Sequence, residues 1–285
     1  MYRIGEVYQK IYNEFLKNNF DSARIETEVI ITKTLGIDKS VIYSFPEKKL
    51  SVKQIEKILK NFSLRIAHFP MEYIFCEKEF FGLKFYVDHN VLIPRPETEL
   101  LVEEALSLIE RNGITSFADI GTGSGNIVIS ILKNIKTKLK EVFATDLYEN
   151  VLKVAIKNAK NYGLLEKIKF ILTDKLKYFI DNKIKLELII SNPPYVTLKE
   201  YKNLQKEIYY EPSYALVTLD GLKFYRYFSA NGKKVVKEGG YLILEINPNL
   251  FTKICDLFTN ESYRIYKIIY DYQKLPRGIV IEVLK

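Results

Sequence analysis

From residue 116 onward, short apolar runs alternate with longer segments in which apolar residues recur at helical spacing. Such alternation favours an α/β fold, in which a mostly parallel sheet carries helices on both faces. The predicted strands are Ser116–Ile120, Glu141–Thr145, Ile168–Leu172, Leu186–Ile190 and Tyr241–Ile246. The predicted helices are Asn126–Asn134, Glu149–Tyr162, Leu222–Val236 and Leu250–Phe258. Two further strand-like runs, Tyr263–Tyr270 and Gly278–Leu284, have no helix between them, so we expect the sheet to end in an antiparallel pair.

Residues 1–70 predict a small helical bundle, because apolar side chains recur at helical spacing in three segments. Asp21-Ser22 offers an N-cap for the second segment and Ser51 offers one for the third, while Gly36 closes the second. No group of residues in this part suggests chemistry. We therefore expect a module that docks the substrate of the domain that follows.

Residues 71–94 differ from the bundle because β-branched and aromatic residues become frequent. The segments Glu72–Cys76 and Glu79–Val87 predict the two strands of a β-hairpin. We expect this hairpin to link the helical bundle to a catalytic domain that comprises residues 95–285.

Composition describes an ordinary globular protein, with 47% hydrophobic and 27% charged residues. No apolar run approaches the roughly 20 residues of a membrane span, and the first residues lack the apolar core of a signal peptide, so we expect a cytoplasmic protein without membrane contact. Two cysteines and two histidines are too few to suggest a metal site. The net charge of +8 would suit a nucleic-acid partner, but the lysines are scattered. We expect a monomer without direct nucleic-acid binding.

A stiff turn, Ser191-Asn192-Pro193-Pro194-Tyr195, follows the apolar strand Leu186–Ile190. Two consecutive prolines have no N–H for a sheet, so the strand must stop there, at an edge where α/β proteins bind ligands. The Asn192 side chain, the Pro193 carbonyl and the Tyr195 ring could together hold a planar amide or amine. A rigid loop without a ligand is the alternative, and these residues alone do not decide between them.

A glycine-rich loop, Asp119-Ile120-Gly121-Thr122-Gly123-Ser124-Gly125, leaves the first predicted strand and enters a helix. Glycines at this spacing let the backbone approach a ligand closely. The dinucleotide pattern would need its third glycine at Asn126, and no Gly-Lys-Ser/Thr ends the loop as in a phosphate-binding loop. Asp146 ends the second strand, where an acid can bind a ribose diol. Asp174 ends the third strand and could meet an adenine amino group, with Lys175 beside it covering the base.

An arginine held between two prolines, Pro94-Arg95-Pro96, precedes a predicted helix and is a further candidate for the site. Its alternative explanation is that Pro96 is simply a favourable first residue of that helix.

The glycine loop, Asp146 and the antiparallel end of the sheet resemble the class I S-adenosylmethionine-dependent methyltransferases, which have a Rossmann-like, seven-strand sheet. Asn-Pro-Pro-Tyr narrows the resemblance to enzymes that methylate amide or exocyclic amine nitrogens. Most of the chain is similar to one family among them, the glutamine methyltransferases of peptide chain release factors. The similar segments are Pro70–Ile74, Leu92–Glu99, Tyr210–Pro212, Ala215-Leu216 and Arg277.

The resemblance implies transfer of a methyl group from S-adenosylmethionine, which leaves S-adenosylhomocysteine, to the glutamine of a Gly-Gly-Gln loop in a release factor. The cofactor residues that it implies are Asp119, Gly121, Thr122, Gly123, Ser124, Gly125, Asp146, Asp174, Lys175 and Asn192. The substrate residues that it implies are Asn192, Pro193, Pro194, Tyr195, Arg95, Glu211 and Arg277, of which Asn192, Pro193 and Tyr195 are the catalytic candidates. Lys175 departs from the family, which has an aromatic residue there.

Two other functions remain open from the sequence. A methyltransferase acting on adenine amino groups of DNA or RNA would use the same turn, with Tyr195 stacking on a flipped base. A non-catalytic docking protein could keep the fold as a scaffold, although the intact glycine loop, Asp146 and Asn192 argue against it.

Overall fold

The computed structural model describes residues 2–285, which divide into two compact units. The first unit ends at Phe75 and the second comprises Cys76–Lys285. The division falls after the helical segments, so the hairpin of residues 78–85 belongs to the second unit.

The first unit is a helical bundle around an apolar core that includes Ile4, Phe15, Ile30 and Ile58. Its elements are β1 (Tyr2–Arg3), α1 (Ile4–Lys17), α2 (Ala23–Leu35), α3 (Ser40–Ser44), β2 (Lys49–Leu50), α4 (Val52–Ile66) and α5 (Met71–Phe75). The expected helix boundaries are confirmed at two places. Gly36 ends α2 in the left-handed conformation with φ of 64°, and the Ser51 hydroxyl accepts a hydrogen bond from the Gln54 N–H at the start of α4.

The prediction of a strand at Glu72–Cys76 was wrong, because this segment lies in the short helix α5 (Met71–Phe75). The Pro70 carbonyl accepts hydrogen bonds from the N–H groups of Tyr73 and Ile74, which closes a helical turn directly after the proline. The β-rich local composition is therefore overridden by the turn that follows Pro70. The hairpin itself is formed only by the later residues, in β3 and β4.

The second unit alternates strands and helices as the sequence predicts. Its elements are β3 (Lys78–Phe80), β4 (Leu83–Phe85), α6 (Glu99–Asn112), β5 (Ser116–Ile120), α7 (Asn126–Asn134), β6 (Glu141–Asp146), α8 (Glu149–Asn161), β7 (Lys169–Leu172), α9 (Lys177–Asp181), β8 (Leu186–Ser191), β9 (Val196–Thr197), α10 (Leu198–Tyr201), β10 (Val217–Thr218), α11 (Lys223–Val235), β11 (Val236–Glu245), α12 (Phe251–Leu257), β12 (Tyr263–Tyr270) and β13 (Pro276–Val283).

Seven of these strands form one sheet in the order β12-β13-β11-β8-β5-β6-β7. The five strands from β11 to β7 are parallel, while β13 runs antiparallel between β11 and β12, which confirms the expected antiparallel end. Successive residues of β5 face opposite sides, since Phe117 packs into one apolar cluster and Ala118 into the other. Helices α6, α7 and α8 cover the first side, and α9, α11 and α12 cover the second.

Parallel orientation has one consequence for function: the carboxyl ends of β5, β6, β7, β8 and β11 all meet at the same edge of the sheet. The glycine loop, Asp146, Asp174, Asn192 and Glu245 stand at or just beyond those ends. Within residues 2–285, no helix has both the length and the apolar composition required to cross a bilayer.

Candidate active site

A cavity of about 520 Å³ lies along the carboxyl edge of the sheet. This volume suits a ligand of cofactor size. The predicted site residues that line it are Arg95, Gly121, Thr122, Gly123, Ser124, Asp146, Asp174, Lys175, Asn192, Pro193 and Pro194. The predicted residues outside the lining are Asp119, Gly125, Tyr195, Glu211 and Arg277. The structure therefore brings the glycine loop, two strand-end acids and the Asn-Pro-Pro turn around one space.

The glycine loop adopts backbone conformations that side chains resist. Gly123 lines the cavity with φ of 57°, and a Cβ at this position would project into open space. Gly125 has φ of 79°, and a Cβ there would lie 3.0 Å from Ile129 Cδ1 and 3.4 Å from Ala155 Cα. Gly123 thus leaves room on the ligand side, whereas Gly125 permits helix α7 to start close against α8.

Asp119 supports the loop from below rather than facing the cavity. It is fully buried, and its Oδ2 accepts a hydrogen bond from the Thr122 hydroxyl at 2.7 Å. Burial raises the pKa of this carboxyl to about 7, against the opposing effect of the Thr122 hydroxyl. Over the described chain, its buried Oδ1 has no hydrogen-bond partner. The buried Asp119 carboxyl therefore destabilises the fold, although its bond to Thr122 supports the glycine loop.

Asp146 holds the loop from the neighbouring strand. Its Oδ2 accepts the Gly123 N–H at 3.2 Å, and its Oδ1 accepts the N–H groups of Leu147 at 2.8 Å and Tyr148 at 3.3 Å. Burial raises the pKa of this carboxyl, while those backbone donors favour its charged form. Because a carboxylate offers about four acceptor positions and these bonds use three, capacity remains for a ligand hydroxyl.

Asn158, a residue of α8 that the sequence did not single out, fixes the outer side of the loop. Its Nδ2 donates to the carbonyl oxygens of Ser124 at 2.8 Å and Tyr86 at 2.9 Å, and its Oδ1 accepts the Tyr86 N–H at 2.8 Å. The side chain is fully buried. A single amide thus joins the glycine loop to the segment that follows the hairpin.

Asn158→Ala is expected to lower the free energy of unfolding by about 3 kcal/mol, because it leaves buried backbone groups of Ser124 and Tyr86 without partners. Urea unfolding measures the change. Asn161→Ala, on an exposed position of the same helix, is the matched control and should change stability by less than about 0.5 kcal/mol. Equal stability of the two variants would contradict the role assigned to Asn158.

Asp174 and Lys175 follow β7 and form an ion pair with each other. Asp174 is exposed at the mouth of the cavity, and Lys175 has φ of 50°, a left-handed conformation that is uncommon outside glycine. The Lys175 ammonium lies 4.9 Å from the centroid of the Tyr227 ring and 5.4 Å from that of Phe224. Cation–π contacts and the ion pair therefore hold the lysine at the cavity wall.

Asn192 is oriented by a chain of hydrogen bonds that leads to the buried Glu245. Its Nδ2 donates to Thr98 Oγ1 at 3.1 Å, and the Thr98 hydroxyl donates to Glu245 Oε2 at 2.5 Å. Glu245 also accepts the Tyr195 hydroxyl, on Oε1 at 2.9 Å. The negative charge of Glu245, followed by burial, raises the pKa of Tyr195 well above its usual value. Within residues 2–285, neither Asn192 Oδ1 nor the Pro193 carbonyl oxygen receives a hydrogen bond.

The predicted rim residues take two different positions. Glu211 is buried, and its carboxylate accepts the Arg95 guanidinium at 2.5 Å and the Ile93 N–H at 3.0 Å, so it fixes the segment that carries Arg95. Arg277 in β13 binds Asp271 at 2.8 Å, and this pair raises the arginine's pKa although burial opposes it. Arg95 lines the cavity, whereas Glu211 lies outside the lining and acts by holding Arg95.

Sequence reasoning missed Thr98 and Glu245. Thr98 lies inside the segment Leu92–Glu99, but nothing in its neighbours indicates that it is buried and bonded to Asn192. Glu245 had a usable signal, because it is an acid that follows the apolar run Tyr241–Leu244, as Asp146 follows its own strand.

Tyr148 and Tyr214 also line the cavity, with ring centroids 4.2 Å apart.

Two family models match separate parts of the chain. Residues 6–75 match the model described as PrmC N-terminal domain, and residues 103–274 match the model described as Eco57I restriction-modification methylase. Among solved structures, the hMettl16 catalytic domain in complex with MAT2A 3′UTR hairpin 6 superposes with a TM-score of 0.55 and 15% identity, covering 82% of this chain and 83% of that one. This likeness confirms the fold of a methyltransferase.

Curated relatives match nearly the whole length. A release factor glutamine methyltransferase of Dictyoglomus turgidum is 36% identical over 92% of this chain and 94% of its own. Another with the same name, from Chlorobaculum tepidum, is 32% identical over 93% of this chain and 92% of its own. This protein is a methyltransferase, and it belongs to the release factor glutamine methyltransferase family.

Proposed function

We propose that this enzyme transfers a methyl group from S-adenosylmethionine to the side-chain amide nitrogen of the glutamine in the Gly-Gly-Gln loop of peptide chain release factors. The relatives that match nearly the whole chain carry release factor glutamine methyltransferase as their name. The main support from the structure is the orientation of the Asn192 amide. Its NH2 donates to Thr98, and its carbonyl oxygen is free beside the cavity.

The residues at the carboxyl edge fit S-adenosylmethionine. The left-handed Gly121 and Gly123 let the loop backbone approach a ligand closely, and Asp146 has acceptor capacity left for a ribose hydroxyl. Asp174 is an exposed acceptor in the cavity lining, suited to an adenine amino group. When bound, this cofactor supplies an electrophilic methyl group on a sulfonium. We assign the glycine loop, Asp119, Asp146, Asp174 and Lys175 to its binding.

The chemical difficulty lies in the acceptor, because the lone pair of an amide nitrogen is delocalised into its carbonyl. In our proposal, Asn192 Oδ1 and the Pro193 carbonyl oxygen accept the two N–H bonds of the glutamine NH2. These acceptors orient the nitrogen and stabilise the positive charge that develops on it during attack. With the cofactor bound, the glutamine nitrogen would form a bond to the methyl carbon while the C–S bond breaks and its electron pair stays on sulfur. The amide would then lose one N–H proton to solvent water.

Other residues of the site serve orientation and access. The Tyr195 ring is half-buried, with its hydroxyl bound to Glu245, so it offers a fixed surface to the substrate amide. Arg95 and Arg277 are proposed to border the entrance for the glutamine loop. Neither histidine lines the cavity, in keeping with a reaction in which no base acts before attack.

The direct test incubates the enzyme with a release factor and methyl-labelled S-adenosylmethionine, followed by mass spectrometry of the tryptic peptides. We expect one added methyl group, located on the glutamine of the Gly-Gly-Gln loop. A release factor in which that glutamine is replaced by asparagine is the control, and it should stay unlabelled. Label on another residue, or no label at all, would contradict the proposal.

Adenine methylation is the second candidate, and the match of residues 103–274 to a restriction-modification methylase model favours it. The same cavity and turn could hold an adenine amino group in place of a glutamine amide. A DNA or RNA oligonucleotide offered in parallel with the release factor separates the two functions. Transfer to the oligonucleotide alone would replace our proposal.

A further inference from the structure

We propose that Glu245 is a positioning residue for methyl transfer, whose buried carboxylate fixes the direction of the hydrogen bonds that present Asn192 and Tyr195 to the substrate. This inference rests on the proposed function of Asn192. It adds a residue that does not itself line the cavity and acts through Thr98 and Tyr195.

The position of Glu245 follows from the sheet. β11 runs parallel to β8 with Leu244 paired to Ser191, so Glu245 stands beside the turn that begins at Asn192. On its other side, Glu245 pairs with Gly278 of β13. The side chain is 1% exposed and reaches Thr98 from one oxygen and Tyr195 from the other. A single carboxylate thus holds Tyr195 directly and Asn192 through Thr98.

The charge state of Glu245 determines which atoms donate. An ionised carboxylate only accepts hydrogen bonds, so the hydroxyl protons of Thr98 and Tyr195 must both point toward it. The Thr98 oxygen is then left as an acceptor, and it can receive only the NH2 side of Asn192. The Asn192 oxygen consequently faces away, as an acceptor for substrate N–H. Each hydrogen bond in this chain therefore fixes the donor and the acceptor of the next one.

Glu245, like Asp119, has no lysine or arginine in an ion pair with it in the part of the chain that the structure describes, whereas the other two buried glutamates of the unit are paired. Glu211 pairs with Arg95, and Glu104 with Lys267. A buried carboxylate that has only hydroxyl partners destabilises the fold. Retaining such a group beside the site is typical of a functional role.

Burial raises the pKa of Glu245 to about 7, and the hydrogen bonds from Thr98 and Tyr195 oppose this shift. Among the charged groups that face it, Glu97 on the segment before α6 raises the pKa and Arg277 on β13 lowers it. The Tyr225 hydroxyl of α11 donates a hydrogen bond to the backbone carbonyl of Glu245 and not to its side chain. The ionised form therefore becomes dominant as the pH rises through about 7, and we expect kcat to rise over the same interval.

Stability should change in the opposite direction. The folded-state pKa of about 7 is above the usual 4.5, so the folded protein binds this proton more tightly than the unfolded chain. The resulting stabilisation is present below pH 4.5 and is lost as the pH rises through about 7. A purely structural Glu245 would make activity follow stability, whereas a positioning Glu245 gives rising activity with falling stability.

The first experiment measures Glu245→Gln, which keeps the size but can accept only one of the two hydroxyl protons. We expect kcat to fall about 100-fold, as for a misplaced reacting group, with an unchanged Kd for S-adenosylmethionine. The rise of kcat through about pH 7 should also disappear. Glu282→Gln, which alters a surface pair with Arg264, is the control and should keep both kcat and the pH profile. A wild-type pH profile in Glu245→Gln would overturn the inference.

The second experiment needs no substrate, so it separates this inference from the proposed function. The side-chain amide of Asn192 is observed by NMR in protein labelled with ¹⁵N-asparagine and assigned by its loss in Asn192→Ala. We expect its signal to shift with a midpoint near pH 7 in the wild type and to stay constant in Glu245→Gln. Thr98→Val, which breaks the same chain, serves if Glu245→Gln does not fold. An Asn192 signal that is identical in the wild type and in Glu245→Gln at every pH would overturn the inference even where methyl transfer is confirmed.

Discussion

Replacing Asn192 by alanine is expected to lower kcat for methyl transfer about 1000-fold, because the substitution removes the acceptor that we propose for the charge that develops during attack. Cofactor affinity should be largely unchanged, since the glycine loop and Asp146 remain in place. Single-turnover kinetics with the release factor measures the chemical step, and calorimetry measures the Kd for S-adenosylmethionine.

Asn182→Ala is a suitable comparison for this variant, because Asn182 is exposed at the end of α9 and does not line the cavity. It should retain wild-type kcat. If Asn192→Ala also retained full activity on the release factor, Asn192 would not be the residue that positions the substrate nitrogen.

Asp146→Ala is expected to weaken S-adenosylmethionine binding about 100-fold, equivalent to roughly 2.7 kcal/mol. Hydrogen bonds to a charged group contribute about 1.5–3 kcal/mol each, and the substitution also removes the acceptor that holds the Gly123 N–H. Isothermal titration calorimetry gives the Kd directly. Because the defect lies in binding, saturating cofactor should restore much of kcat.

The control for this prediction is Asp181→Ala, at the exposed end of α9, where the aspartate pairs with Lys177. Cofactor affinity should be unaffected there. Thermal unfolding of Asp146→Ala distinguishes a local loss of ligand contacts from collapse of the loop. An unchanged Kd in folded Asp146→Ala would refute the assignment of Asp146 to cofactor binding.

The sequence predicts most of the catalytic unit because its strands and helices differ strongly in periodicity and length. Ser116–Ile120, Asn126–Asn134 and Tyr263–Tyr270 have the same bounds in the prediction and in the structure. The strand prediction for Glu72–Cys76 was wrong. Aromatic and β-branched composition is a weak signal over five residues, and the helical turn after Pro70 determines the local structure. Short elements such as α3 and the β9–β10 pair also leave too few residues for a periodic pattern.

The site shows a different limit. The sequence predicts Asp146 and Asn192 as site residues because each follows a strand at the carboxyl edge of the sheet. The alternation of strands and helices predicts that these strands are parallel neighbours. The Thr98–Glu245 bond joins residues 147 positions apart, and it depends on β11 pairing with β8 while the segment before α6 crosses their ends. No local pattern contains that information, because it arises only when the strand order of the sheet is fixed.

The strand order also bears on how the unit is made during translation. β13 is the last strand of the sheet along the chain, yet it lies inside the sheet between β11 and β12. Until residue 283 has left the ribosome, β11 has an unpaired edge, β12 has no partner strand in the sheet, and Glu245 lacks its neighbour Gly278. The nascent chain should therefore acquire its binding site in one late step, and stalled products that stop before β13 should be sensitive to proteolysis and prone to aggregation.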